Sequence, residues 1–355
     1  MITPETETLE ACPVCGSKEK KFLFTNTDRL HGIPGEFGLN QCLGCSVFYL
    51  SPRPTLETLP RYYPDDYYAH KIKENGFSQS DMMRRSRDFL RNTILYEVYH
   101  YKNYSSKPRI RPSLLAKPIA YLSVPLWKRA YYGLPRLNFP EYTEAGRVLD
   151  IGCGTGNYLR ILRNLGWEVY GVEPSEKAVN AGRKEYGLDI RAGTLLDHRF
   201  PDNYFNFISM NHVLEHLPNP IETFAELKRI VHPDGMIVIR MPNIDSYVYR
   251  RFVKNSYHID TPRHLILYSK TSFSYLCHIT GLQIKNFLTS SSFHVFYESL
   301  EYEKRDNMGK HGSKTKDDYP LFERIMIKTL NLYVNFLILS GKSAGDELQA
   351  VLVKR

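Results

Sequence analysis

Two histidines flank a glutamate in the stretch His212-Val213-Leu214-Glu215-His216. Imidazole titrates near neutrality, so His216, or His212 as second choice, could remove a proton from a hydroxyl, an amine or a carbon acid. The trio His212, Glu215 and His216 could instead hold a divalent metal that orients an acceptor's oxygens. A third reading is structural, with Glu215 bonded to backbone and His216 packed beneath a ligand. One helical turn would place both histidines on one face, with Glu215 beside them. A second polar cluster follows at Tyr257-His258-Ile259-Asp260-Thr261-Pro262-Arg263-His264-Leu265. There Arg263 suits a phosphate or carboxylate and His264 could join the first cluster. Alternatively, Asp260 and Arg263 simply pair to hold a loop.

A different chemistry is written in Val148-Leu149-Asp150-Ile151-Gly152-Cys153-Gly154-Thr155-Gly156. An apolar run ends in an acid and opens into three alternating glycines, with a helix-period segment behind them. Glycines there allow a sharp turn and close approach to a ligand. Glu173 closes the next apolar run, 23 residues after Asp150, where a carboxylate can accept both hydroxyls of a ribose. Dinucleotide folds use Gly-x-Gly-x-x-Gly to seat a pyrophosphate. Here the spacing is Gly-x-Gly-x-Gly, with an acid two residues before the first glycine that would repel a pyrophosphate and could meet a cationic group.

Four cysteines stand in two pairs, Cys12-Pro13-Val14-Cys15 and Cys42-Leu43-Gly44-Cys45, with 26 residues between. Each pair can form a knuckle, and four thiolates make a closed, structural zinc site. An iron–sulfur cluster and disulfides are the competing readings. Six cysteines so arranged fit a reducing compartment, and the acidic N-terminus lacks the apolar core of a secretory leader, so a cytoplasmic location is expected.

The elements that must position these groups alternate from Gly146 onward. Apolar runs at 147–151, 168–173, 188–191, 205–210 and 235–241 read as buried parallel strands. Helical stretches at 156–165, 175–186 and 219–231 lie between them. Ser175 is an expected N-cap, Pro233-Asp234-Gly235 an expected turn, and Gly281 the cap of a helix near 271–280. Strands follow at 282–289 and 347–353, which gives a doubly wound α/β sheet. Residues 51–70, rich in proline and tyrosine, read as a connector whose tyrosines either reach a substrate pocket or pack between modules. Residues 303–318 read as a mobile surface loop, and 321–340 as a buried or interfacial amphipathic helix.

The 355 residues carry a net charge of +9, and the window 81–136 holds twelve Lys and Arg against three acids. Aromatic residues interleave with them. Such a segment could grip nucleic acid, anionic headgroups or nucleotide diphosphates, or form a helical cap with its charges in water. No run of 18 uncharged apolar residues exists, so a membrane span is not expected. Peripheral contact through 112–134 and 321–340 stays open.

These motifs together resemble class I S-adenosylmethionine (AdoMet) methyltransferases that carry an N-terminal four-cysteine zinc ribbon. The matching residues are both cysteine pairs, Val148 to Gly156, Gly171-Val172-Glu173-Pro174-Ser175, His212 to His216, Pro242-Asn243 and Asp260 to His264. The resemblance implies a Rossmann-like seven-stranded sheet with its last strand antiparallel. It also implies a zinc ribbon over 1–50, a connector and basic-aromatic helical insert over 51–144, and a methyltransferase core over 145–355. Implied cofactor contacts are Asp150, Gly152, Gly154, Gly156 and Glu173, with Thr194 and Leu195 near the adenine; Asn211 joins them. Two departures stand out: Gly193-Thr194-Leu195-Leu196-Asp197 replaces the family's acid after the third strand, and Phe205-Asn206 replaces Phe-Asp. Similar proteins act in glycan, surface-polysaccharide or natural-product biosynthesis. Deoxysugar methyltransferases share the layout, with a catalytic histidine placed as His216 is. The expectation is therefore methyl transfer to a sugar-like small molecule. The alternatives are an RNA methyltransferase gripping through the ribbon and the basic window, and a non-catalytic AdoMet-binding scaffold.

Overall fold

The computed structural model describes residues 5–63, 101, 140–308 and 319–354. The basic window 81–136 therefore lies outside the described residues except Tyr101, as do the tyrosines beyond Tyr63 and most of the expected insert.

Five short strands open the chain: β1 (Thr6–Glu7), β2 (Lys20–Asn26), β3 (Phe37–Cys42), β4 (Phe48–Leu50) and β5 (Arg53–Pro54). The alternating half follows with β6 (Arg147–Ile151), α1 (Asn157–Asn164), β7 (Glu168–Glu173), α2 (Glu176–Tyr186), β8 (Asp189–Ala192), β9 (Phe205–Asn211), α3 (Pro220–Ile230) and β10 (Val231–Pro242). After α4 (Tyr247–Phe252) come β11 (Ile266–Leu267), α5 (Lys270–Thr280), β12 (Leu282–Ser290), α6 (Phe293–Met308), α7 (Leu321–Leu339) and β13 (Glu347–Lys354). Seven of these strands form one sheet in the order β12-β13-β10-β9-β6-β7-β8. Strands β6, β7 and β8 run parallel, whereas β12 and β13 pair antiparallel. The expected seven-stranded Rossmann-like sheet is present.

Local chemistry explains the boundaries. Ser175 caps α2 by accepting from the Ala178 amide, and Gly187 ends it in the left-handed region. Ser269 and Ser272 form a reciprocal cap on α5, which Gly281 closes at φ 72°.

Two expectations change. The segment Pro233-Asp234-Gly235 is not a separate turn, because β10 begins at Val231 and runs through it. A proline near a strand's first residue costs no central ladder bond. The expected loop at 303–318 is helical as far as Met308, since α6 buries Phe296 and Leu300 in a core shared with α4 and α7 and Tyr302 beside Tyr257; residues 309–318 lie outside the described set.

The chain forms two compact units, one of residues 1–65, 210–229 and 237–355, the other of 66–209 and 230–236. Within the first unit, segments distant in the chain share one sheet and one core. Strand β11, from far along the chain, completes a four-stranded sheet in the order β11-β4-β3-β2. A shared core of Phe37, Leu39, Leu50 and Tyr62 with Ile244, Ile259 and Leu267 fuses β3 and β4 to the later segment. A second core in this unit joins Val248 and Phe252 of α4 with Phe296 of α6 and Ile327 and Val334 of α7.

Candidate active site

The glycine loop belongs to the second unit. Gly152, Gly154 and Gly156 all have positive φ, at 68°, 54° and 77°, a region costly for side-chain-bearing residues. At Gly156 a Cβ would also stand 2.5 Å from Leu188 Cδ1. Glu173 braces the loop: its Oε2 accepts from the Gly154 amide at 2.9 Å and its Oε1 from the Ser175 amide at 3.0 Å. Each carboxylate oxygen keeps a further lone pair, the acceptor set a ribose diol needs. Asp150 is buried and accepts from Ser209 Oγ at 2.6 Å. Burial raises its carboxyl to about 7, with Ser209 opposing and Glu173 adding to the rise. Thr194 and Asp197 cap each other's turn, and Leu195 is buried. Asn206 Oδ1 accepts from the Arg147 amide at 2.9 Å and so ties two strands.

The histidine segment belongs to the first unit. Strand β9 ends at Asn211, an exposed residue, and His212 takes a positive φ of 54°. The chain then makes a short 3-10 turn, Leu214–His216. The single helical turn expected for this stretch is absent, and the two histidines fall on different partners. His212 Nδ1 donates to Glu215 Oε1 at 3.2 Å and its Nε2 to Glu347 Oε1 at 3.1 Å. Burial alone would lower its pKa, but the two glutamates outweigh that and raise it to about 9. His212 is thus a charged donor at neutral pH. Glu215 is fully buried; burial would raise its pKa, yet the His212 hydrogen bond and charge bring it to about 2.

His216 differs. Its Nδ1 lies 2.9 Å from the Arg263 carbonyl and 2.9 Å from Tyr63 Oη. A carbonyl only accepts, so Nδ1 carries the proton and Nε2 keeps a lone pair. Burial and the neighbouring His264 hold its pKa down at about 4, leaving a neutral imidazole. His264 repeats the pattern, with Nδ1 2.8 Å from the His258 carbonyl. The two rings meet edge to face at 4.8 Å between centroids. The second polar cluster does therefore join the first, through His264.

Arg263 does not face a ligand. It is fully buried, with Nη2 2.8 Å from Asp28 Oδ1 and 2.5 Å from Asp260 Oδ1, and with Nη1 donating to the Tyr62 carbonyl at 3.1 Å. Two carboxylates satisfy the guanidinium, so the loop-holding reading replaces the anion-binding one. The connector's two described tyrosines divide: Tyr62 packs in the core and Tyr63 reaches His216. Asp28 and Glu347 carry no sequence signal for their roles, since their partners are 235 and 135 residues away.

The four cysteines converge. All four Sγ atoms lie within 4.8 Å of one another, with Cys12–Cys45 at 3.6 Å and Cys15–Cys42 at 3.4 Å. Tetrahedral ligands with bonds of ~2.3 Å stand about 3.8 Å apart, so the donor set fits one tetrahedral ion.

The methyltransferase domain family matches residues 122–286. That segment carries the glycine loop and the first five strands of the seven-stranded sheet, and it is similar to methyltransferase domains. Among curated relatives, an uncharacterised methyltransferase of Schizosaccharomyces pombe is 36% identical over 122 residues, 29% of this chain and 42% of the relative. The demethylmenaquinone methyltransferase of Staphylococcus saprophyticus is 29% identical over 102 residues, 27% of this chain and 44% of that protein. The chain spans about half the length of the curated relatives it matches. Among solved structures, an AdoMet-dependent methyltransferase from Archaeoglobus fulgidus is 19% identical with a TM-score of 0.39, over 59% of this chain and 86% of that one.

Proposed function

We propose that the chain transfers a methyl group from AdoMet to a small-molecule acceptor, a sugar or a glycan or natural-product precursor. The observation that carries the cofactor is the glycine loop braced by Glu173, with acceptor lone pairs to spare. When bound, AdoMet supplies an electrophilic methyl: the carbon–sulfur bond breaks, its electron pair stays on sulfur, and a bond forms to the acceptor atom. Gly152, Gly154 and Gly156 admit the ligand against backbone, and Glu173 takes the ribose hydroxyls. Asp150, Thr194, Leu195 and Asn211 complete the proposed contacts. His216, neutral with Nε2 unprotonated, receives the acceptor's proton, while Glu215 and the charged His212 fix that segment. The protein's main contribution is positioning, with the base adding ~10²–10⁴-fold. The four cysteines hold a structural zinc ion in this reading, and the chain works in the cytoplasm.

The test is incubation with AdoMet labelled in its methyl group, followed by separation of nucleotide sugars, lipids and RNA. Label in nucleotide sugars or lipid-linked sugars is expected, and His216→Ala should lower that rate ~10²–10⁴-fold. Label in RNA alone overturns the sugar reading. AdoMet binding with no labelled pool overturns the catalytic one in favour of a scaffold.

A further inference from the structure

We propose that Glu215, His216 and His264 form a divalent transition-metal site. The three side chains come from the 3-10 turn Leu214–His216 and from the loop that follows Arg263, and their ligand atoms lie within 4.8 Å of one another. Both imidazoles are set as metal ligands are. Each donates Nδ1–H to a backbone carbonyl, that of Arg263 for His216 and that of His258 for His264. This fixes the tautomer and turns both Nε2 lone pairs outward from those bonds, the arrangement usual behind metal-bound histidines.

The carboxylate supplies the independent observation. Glu215 is fully buried, and its Oε2 has no hydrogen-bond partner. An unpaired buried carboxylate oxygen is expensive. His212 donates to the other oxygen, Oε1, so Oε2 is the one left for a cation. His264 Nε2 stands 3.9 Å from Glu215 Oε1 and 3.9 Å from Asp260 Oδ2. Ligands on a tetrahedral ion with bonds of ~2.1 Å sit about 3.4 Å apart, so small side-chain rotations close the site.

Two imidazoles and one carboxylate suit zinc, iron(II), cobalt(II) or manganese(II), with positions left open. The trio differs from His212, Glu215 and His216, because His212 spends both nitrogens on glutamates. The substrate consequence rests on the methyl-transfer reading: open positions favour an acceptor with two adjacent oxygens that chelate the ion. A cation on His216 Nε2 also takes over proton release, by acidifying the bound oxygen. The lone pair cannot serve a proton and a metal together, so chelation separates the two assignments.

The experiment titrates the chelator-treated full chain with cobalt(II) and follows its absorption. Cobalt on the four cysteines shows thiolate charge-transfer bands; cobalt on Glu215, His216 and His264 shows none. One equivalent of the second kind is expected, and it should disappear in Glu215→Gln and in His264→Gln. Cobalt bound in thiolate form only, no cobalt at all, or a non-thiolate equivalent that persists in both variants overturns the proposal. If a variant fails to fold, the spectrum of the native chain still decides. The labelled-methyl assay is read separately: cobalt of the second kind with no methyl transfer leaves the metal site standing and removes the methyl-transfer reading.

Discussion

Asp150 and Glu215 are both buried carboxylates, yet their surroundings drive them in opposite directions. Asp150, beside the glycine loop, has the neutral Ser209 hydroxyl for a partner, and burial lifts it to about 7. Glu215 faces a protonated His212, and the same burial is overridden to about 2. The glycine-loop region is thus built from backbone amides and one bracing acid, with little stored charge. The histidine region is a set of paired charges, in which the buried Arg263 is shared between the buried Asp28 and the half-buried Asp260 behind His264. The lesson is that one region is shaped for a ligand by backbone conformation, and the other by electrostatic balance. The first should tolerate single substitutions in stability while losing ligand; the second should lose stability outright.

The sharpest break comes at Arg263. Arg263→Leu strands the buried Asp28 and the half-buried Asp260, and chemical denaturation should record a loss of about 3–5 kcal/mol. A change below 1 kcal/mol would dissolve the contrast. Next is Glu173→Ala, which removes the loop's brace and the proposed ribose acceptor. AdoMet affinity by calorimetry should fall about tenfold to a hundredfold, with the thermal midpoint of the ligand-free chain nearly unchanged. The smallest effect concerns Asp150. The folded state keeps a proton there that the unfolded chain releases above 3.8, so its stability contribution is full below that pH and is lost as pH rises through about 7. Asp150→Asn should flatten the stability curve across that window. An unchanged slope would mean that Asp150 is not held protonated by burial.

The same contrast explains what could be read in advance. The glycine loop, Asp150 and Glu173 lie within 24 residues and are marked by residue type alone, because strand, turn and helix signals coincide there. The strands of the alternating half were equally legible from their apolar runs. The histidine segment announced its chemistry but not its geometry. The left-handed His212 ended the expected helical turn, and its second partner, Glu347, lies on the last strand. Arg263 looked like an anion binder because nothing local revealed Asp28. Buried charges find partners across the chain, and residue spacing carries no record of which ones.

Strand β11 contributes two residues, Ile266 and Leu267, to the sheet of β2, β3 and β4. Until residue 267 has been synthesised, the earlier strands β2, β3 and β4 leave an open edge at β4 with Phe48 and Tyr49 along it. Such an edge is a template for pairing with any neighbouring chain. The nascent segment of β2, β3 and β4 therefore waits until residue 267 for its last strand. A metal ion gathered early by Cys12, Cys15, Cys42 and Cys45 would hold it in register during that interval.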